Sequence, residues 1–332
     1  MLVSIDVGYS QVKAMAENGS KILFPSVKAS VVNDPTAGMY INLGHRVKIK
    51  TFNTTREELV GESALRSLTA TTTLSRVKSE DIHDLFILTA AYLCGASGFT
   101  NLAVGLPLAY YRFQKNELKQ RLQKINAHVS VDGGQERYIT ISSVHVFPQG
   151  VGVLLSVLLS DGLALAQTGK IAVIDIGYYT TDYLLFELID GSPVPIPELC
   201  GSIDVGIHLA ARMISTAYQE KTGALAPKFL LKELTSGMTI FFNGEPLDLS
   251  LELSRALART AEQITQEVLS IWVKQADNVT QTILAGGGAL LLNNYLSFPN
   301  ICLPKDPVFA NTEGFLSMLS YQLSLEKGTG TP

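Results

Sequence analysis

The sequence predicts an α/β chain folded as two similar lobes, and three observations carry that prediction. Its 332 residues amount to about two domains at roughly 150 residues each. Apolar strand patterns alternate with helical ones along the whole length, as in sheets flanked by helices. One short pattern occurs twice, IDVG at 5–8 and IDIG at 174–177. Each copy closes an apolar strand and opens a strand-turn-strand, about 170 residues apart, as an internal repeat would.

Element by element, the opening reads as three strands, LVSIDV, QVKAMAE and SKILFPS, joined by GYS and by an Asn18-Gly19 turn. An Asn-Gly pair between strands is a strong hairpin signal. Residues 27–75 are irregular and read as an insertion, with a hairpin across Asn42 to His45 and a short helix from Arg56 to Leu68. A helix is expected over Ser79 to Cys94, with Ser79 at its cap, then the strand LAVGLP and an amphipathic helix over Phe113 to Ile125. A hairpin around Asp132, Gly133 and Gly134 leads to the strand ITISSVHVF and a helix from about Gly150. The opening pattern then returns as IAVIDI, YYTT, DYLLFEL and an Asp190-Gly191 turn. Helices follow over Asp204 to Lys221 and Leu249 to Val273. After them come the strand TQTILA, the glycine run 286–288, a short helix, the strand NICL and a last helix over Glu313 to Leu325.

Composition excludes several classes. A net charge of −4 with no dense Lys/Arg cluster gives no electrostatic footprint for nucleic acid, so direct nucleic-acid binding is not expected. Cys94, Cys200 and Cys302 are far apart and lack CxxC spacing, which indicates neither a zinc site nor a disulfide framework and fits a cytoplasmic protein. No signal peptide is read at the start. Of the uncharged stretches, Leu85 to Tyr111 carries Gly95, Gly98, Asn101 and Pro107, and Tyr138 to Ser160 carries Ser142, Ser143, His145, Pro148 and Gln149, so each reads as two buried elements rather than a membrane span. Charged residues make up 17% against an average of about 25%, which means either a well-filled interior or extra surface for self-association. The five histidines show no HxH or HExxH spacing, and Trp272 reads as core.

Chemistry concentrates in three places. A turn between adjacent strands can offer backbone N–H groups to an anion, and glycine lets a phosphate approach; Gly8 and Gly177 stand in such turns. The Asp two residues earlier in each, Asp6 and Asp175, ends a strand where a carboxylate can hold waters of Mg²⁺, and Lys13 leaves the first turn. An Asp-Gly pair is also a common plain turn, and a strand lysine is commonly a solvated one. The third place is ILAGGGALLL at 283–292, where Gly286, Gly287 and Gly288 would let the backbone pass under a base or ribose; a tight strand-helix turn is the alternative. No Walker A loop is present, because no GK[ST] follows.

In this order the pieces resemble the superfamily of actin, sugar kinases and heat-shock chaperone ATPases. IDVGYSQVK resembles its phosphate 1 loop, VFPQGVGVLLS the first connecting helix and VIDIGYYTTD the phosphate 2 loop. ILAGGGALLL resembles the adenosine motif and FANTEGFLSML the second connecting segment. Within the superfamily the chain resembles the bacterial plasmid-segregation actins typified by ParM and related archaeal actin-like proteins, through MLVSIDVG, VGLPLAYY, GSIDVG and NTEGF.

That resemblance implies a two-lobed actin-like fold, each lobe built on a ribonuclease-H-like sheet with flanking helices. Lobe I would span 1–155 plus the C-terminal helix 312–332, and lobe II 156–311. It implies ATP as ligand, Asp6 and Asp175 around hydrated Mg²⁺, and Lys13 on the phosphates. Gly8, Ser10, Gly177, Thr180 and Thr181 would contact phosphate oxygens, Asp182 would lie near the metal, and Gly286, Gly287 and Gly288 would flank the adenosine. Gln149 falls where the family orients the attacking water; ParM has a glutamate there and conventional actin a glutamine. Bulky Tyr178 and Tyr179 depart from the smaller residue of ParM-like sequences, which leaves open which of Tyr179, Thr180 and Thr181 touches phosphate. The activity implied is ATP hydrolysis coupled to head-to-tail filament growth, serving DNA or plasmid segregation through a DNA-binding adaptor, without membrane attachment. A small-molecule kinase and a non-polymerising ATP-binding scaffold are the alternatives within the superfamily.

Overall fold

The computed structural model describes residues 1–31, 44–72, 80–160 and 167–328. The chain divides into two compact units, one formed by 1–156 with 309–332 and the other by 157–308.

In the first unit, β1 (Leu2–Val7), β2 (Gln11–Ala16) and β3 (Lys21–Pro25) form an antiparallel meander, as the alternating pattern and the Asn18-Gly19 turn require. The described residues of the segment 27–75 form β4 (Val27–Ser30), β5 (His45–Lys50), β6 (Thr55–Val60), the single-turn α1 (Glu62–Leu65) and β7 (Thr71–Thr72). Then come α2 (Glu80–Leu93), β8 (Gly98–Leu106), α3 (Leu108–Leu122), β9 (Asn126–Val131), β10 (Arg137–Pro148) and α4 (Val151–Ser160). The described strands of this unit make one sheet in the order β3-β2-β1-β8-β10-β9-β5-β6-β4-β7. β1, β8 and β10 run parallel at its centre.

The described strands within 27–75 continue the sheet, joined through β5 to β9. The helix expected over Arg56 to Leu68 is corrected: Arg56 to Val60 is strand. Glu57 pairs across to Arg46 at 2.8 Å and Glu58 to Lys28 at 3.0 Å, so these charges are held by cross-strand partners. Gly61, at φ 76°, then ends the strand. The hairpin expected across Asn42 to His45 and the cap at Ser79 lie outside the described residues. The first of the two uncharged stretches holds the end of α2, β8 and the start of α3; the second holds β10 and α4. Among the described residues, no helix is long and apolar enough to cross a membrane.

The second unit repeats the plan with β11 (Thr168–Ile176), β12 (Thr181–Ile189), β13 (Ser192–Pro195), β14 (Gly201–Ile203), α5 (Ile207–Thr222), α6 (Leu230–Thr235), β15 (Ile240–Phe242), β16 (Glu245–Leu247), α7 (Ser250–Trp272), β17 (Val279–Ala285), α8 (Ala289–Leu292) and β18 (Ile301–Cys302). Its main sheet runs β13-β12-β11-β17-β18, with β14 on β12. Pairing is antiparallel from β13 to β11 and parallel from β11 to β18, the same sequence of orientations as β3-β2-β1-β8-β10. α6 and the β15–β16 hairpin were missed in the sequence, although Asn243-Gly244, at φ 51° and 86°, carries the same hairpin signal as Asn18-Gly19. Trp272 is 1% exposed and donates its indole N–H to the Leu199 carbonyl at 2.9 Å.

α9 (Ala310–Gly328) returns to the first unit. Its Phe315 and Leu319 pack with Ala103 and Phe147 in a small cluster of their own, apart from the main core that α2 covers, and Phe147 stacks on Phe315 at 5.6 Å between ring centres. The approach is close because glycine stands at both crossing points: a Cβ on Gly105 would lie 2.7 Å from the Phe315 ring, and one on Gly314 would strike the Gly152 carbonyl.

Candidate functional site

In the first unit, β1 ends at Val7 and the chain turns through Gly8, Tyr9 and Ser10 into β2. The Gly8 N–H donates to the Gln11 carbonyl at 3.0 Å, and a Cβ on Gly8 would lie 2.8 Å from that oxygen, so the turn requires glycine for space. Cross-strand register sets Asp6 opposite Lys13. Lys13 Nζ lies 3.4 Å from Asp6 Oδ2, and Gln149 Nε2 donates to Asp6 Oδ1 at 2.8 Å. The Asp6 side chain is 3% exposed and that of Lys13 14%. Asp6, Lys13 and Gln149, three candidates scattered over 6–149, are thus one cluster, in which a buried carboxylate is paired and hydrogen-bonded.

Gln149 does not cap α4 with its side chain. Its backbone N–H donates to the Leu106 carbonyl at 2.8 Å, and the Asn311 side chain receives the Gly150 N–H at 2.9 Å. Donation through Nε2 leaves the carbonyl oxygen as the other hydrogen-bonding end of the Gln149 amide. Ser10 is exposed. The residue that sequence reasoning missed here is Ser26. It is fully buried, its Oγ donates to the Gly8 carbonyl at 2.7 Å, and its N–H donates to the Ser10 carbonyl at 3.0 Å.

In the second unit the same turn recurs. The Gly177 N–H donates to the Thr180 carbonyl at 2.9 Å, and a Cβ on Gly177 would lie 3.0 Å from that oxygen. Asp175, 8% exposed, stands opposite Asp182, 3% exposed. Ser202 donates its hydroxyl to Asp182 Oδ1. The glycine run closes on the end of β11. Gly286 has φ 83°, and a Cβ there would meet the Ile176 carbonyl and come within 2.5 Å of Asp175 Oδ1. The Gly288 N–H donates to the Ile176 carbonyl at 2.9 Å, and a Cβ on Gly288 would strike the Ile176 side chain. Gly286 and Gly288 are therefore glycines because β11 passes against them, and Gly287 is the more exposed of the three.

One candidate falls out of the surface. Thr181 is fully buried and donates its hydroxyl to the Val205 carbonyl at 2.7 Å, so that hydroxyl fastens β12 to the segment before α5 instead of facing the turn. Thr180 and Tyr179 are partly exposed. Tyr178, Tyr179 and His208 cluster beside the turn, with Tyr179 at 4.9 Å from Tyr178 and 5.2 Å from His208 between ring centres. Burial pushes both tyrosine hydroxyls above their ordinary range, and for Tyr178 the neighbouring Tyr179 adds to the effect, so both stay neutral donors at physiological pH.

Two similar sheets, each presenting a strand-turn-strand with an acidic strand end, define an actin-like protein. The comparisons agree. Residues 4–152 match the family described as actin-like proteins, N-terminal domain, and residues 173–297 match the archaeal actin homologue MreB-like C-terminal family. An archaeal actin homologue of Thermoplasma acidophilum is 28% identical over 95% of this chain and 97% of its own length, and one of Thermoplasma volcanium is 26% identical over the same shares. Among solved structures, a 15-stranded ParM filament from Clostridium botulinum superposes with TM-score 0.88 at 25% identity, over 96% of this chain and 99% of that one. An archaeal actin homologue in complex with ADP does so with TM-score 0.81 at 25% identity, over 97% and 99%. The chain belongs to the actin-like superfamily, with ParM proteins and archaeal actin homologues among its relatives.

Proposed function

We propose that the chain binds and hydrolyses ATP and that this cycle drives head-to-tail self-assembly into filaments. The observation that carries the hydrolytic part is the Asp6–Lys13–Gln149 cluster, because a buried carboxylate held by one cation and one amide is a pre-organised polar site. Gln149 spends its N–H on Asp6, and its carbonyl oxygen is suited to accept a hydrogen bond from a water and turn that water's lone pair outward. A glutamine is too weak a base to take the proton, so its part is orientation. Lys13 supplies charge toward phosphate. The turns at Gly8 with Ser10, and at Gly177 with Thr180, supply backbone amides. Gly286, Gly287 and Gly288 are assigned to the adenosine side, and Thr181 is withdrawn from the phosphate contacts.

The donor set fits Mg²⁺ held through water. In this reading the Asp6 carboxylate, and the Asp175 carboxylate with Asp182 beside it, would each accept hydrogen bonds from metal-bound water. The ion would neutralise phosphate charge.

Assembly is supported by the similar structures: one is a ParM filament, and one is a ParM quadruple mutant described as non-polymerisable. A self-contact between two different faces extends into a filament when its rotation does not close a ring. We further propose a role in segregating DNA through a DNA-binding adaptor, since the charge of −4 offers no direct hold on a phosphate backbone. The test is light scattering and electron microscopy of the purified chain with ATP and Mg²⁺, beside phosphate release. Filaments that need ATP, show a critical concentration and disassemble as phosphate is released are expected. A chain that stays monomeric at tens of micromolar while phosphorylating a small alcohol would overturn the filament reading in favour of a kinase.

A further inference from the structure

The first amides of a helix have no partner within it. In α5 two of them are used on the Gly177 turn: the Ile207 N–H donates to the Gly177 carbonyl at 3.2 Å and the His208 N–H to the Tyr178 carbonyl at 2.8 Å. The approach depends on Gly206, where a Cβ would lie 2.6 Å from the Tyr178 oxygen and 2.8 Å from the Gly177 oxygen. The His208 ring adds a second donor to the same carbonyl, Nδ1 to Tyr178 O at 3.1 Å. Since the acceptor is a carbonyl, Nδ1 carries the proton. The ring is steadied by Tyr179 at 5.2 Å and Tyr178 at 6.3 Å.

A trans peptide is planar, with its C=O and the following N–H pointing in opposite directions. Fixing the Gly177 and Tyr178 carbonyls toward α5 therefore fixes the Tyr178 and Tyr179 N–H groups away from it. A flipped peptide would present an oxygen where an anion needs a donor. The Gly8 turn has the same device in a different material: Ser26 holds the Gly8 carbonyl through Oγ and the Ser10 carbonyl through N–H.

We propose that His208 is a positioning residue for the phosphate 2 loop, its Nδ1–H locking the Tyr178–Tyr179 peptide so that the loop's amides face phosphate. The inference rests on reading the Gly177 turn as a phosphate site. The variants separate the donor from mere bulk. In His208→Asn the amide nitrogen can occupy the place of Nδ1; in His208→Gln the amide lies one bond farther out; His208→Leu has no donor. All three keep the backbone N–H bond to Tyr178.

ATP hydrolysis by the full chain, with KM and kcat separated and melting temperature as control, is the measurement. The expected result is a KM for ATP raised about fivefold in His208→Leu and His208→Gln, from the loss of one neutral hydrogen bond, with kcat nearly unchanged. His208→Asn returns to near the wild-type value. Equal KM in all four proteins, or equal impairment of all three variants in step with lowered melting temperature, would overturn the positioning role. A wild type that neither binds nor hydrolyses ATP would overturn the reading of the turn itself, and His208 with it.

Discussion

Replacing Gln149 by alanine isolates the step that most needs an oriented water. The substitution removes the 2.8 Å bond from Nε2 to Asp6 Oδ1 but leaves Lys13 at 3.4 Å on the other oxygen. Asp6 is therefore not left alone, and the stability lost should be near the low end for a hydrogen bond to a charged group, about 1–2 kcal/mol. Hydrolysis should fall about 10- to 1000-fold, as when one positioned polar group is lost from a reacting centre, while ATP affinity changes little. Single-turnover phosphate release and calorimetric ATP binding measure the two separately. Gln149→Glu sharpens the test. It brings a second carboxylate to a place 2.8 Å from Asp6 Oδ1, where two unit charges repel by about 6 kcal/mol at an effective dielectric near 20. The new carboxyl must then hold a proton or swing away from Asp6, so the variant's melting temperature, relative to that of the wild type, should fall as pH rises through its titration. Binding and hydrolysis falling together in Gln149→Ala would refute the water-orienting role and make Gln149 a packing partner of Asp6.

Three further outcomes follow from the packing. Asp175→Asn keeps the shape that fits against Gly286, so the melting temperature should stay within a few degrees while phosphate release drops about 100-fold or more; normal turnover in the folded variant would remove Asp175 from the site. Gly314→Ala drives a methyl group into the Gly152 carbonyl and should cost about 2–3 kcal/mol in urea unfolding by overpacking; an unchanged midpoint would show that the α4–α9 crossing is looser. Burial pushes the Cys94 thiol from 9.0 up to about 12, so the native thiol should resist alkylation at pH 8. Because the folded pKa is raised, this stability is fully present below pH 9 and is lost as pH rises toward 12, by about 1.4 kcal/mol per unit. Cys94→Ala should flatten that part of the urea-stability profile, and an unchanged slope would exclude the thiol as its source.

What the sequence made legible was local. The opening meander, the two Asp-x-Gly turns and the glycine run are read from neighbouring residues, and their physical causes, a turn needing space and a backbone passing close, act over a few positions. The helix expected over Arg56 to Leu68 is strand as far as Val60, because the partners of Glu57 and Glu58 are Arg46 and Lys28, which only the sheet brings near. Ser26 and His208 were not legible for the same reason. Each acts on a turn well away in the chain, Gly8 and Tyr178, and a lone serine or histidine carries no pattern that announces such a bond. Thr181 shows the converse: its neighbours suggested a phosphate contact, but the pull of the Val205 carbonyl decides where its hydroxyl goes.

The repeat also explains why the two halves are not interchangeable. Both turns close with the same glycine N–H bond, at 3.0 Å from Gly8 and 2.9 Å from Gly177, so the backbone geometry is common to both. The side chains opposite the two aspartates are not: register sets Lys13 against Asp6 but Asp182 against Asp175. Opposite charges across a ladder attract and like charges repel. Asp6 is thus balanced within its own sheet, and its lysine is suited to reach toward an anion. Asp175 and Asp182 concentrate negative charge at one strand end, moderated by the Ser202 hydroxyl on Asp182, and a nearby cation lowers that repulsion. One duplicated backbone therefore carries two electrostatic settings, an aspartate opposite a lysine in the first unit and an aspartate opposite a second aspartate in the second, and the difference between them rests on the charge at the position opposite each aspartate.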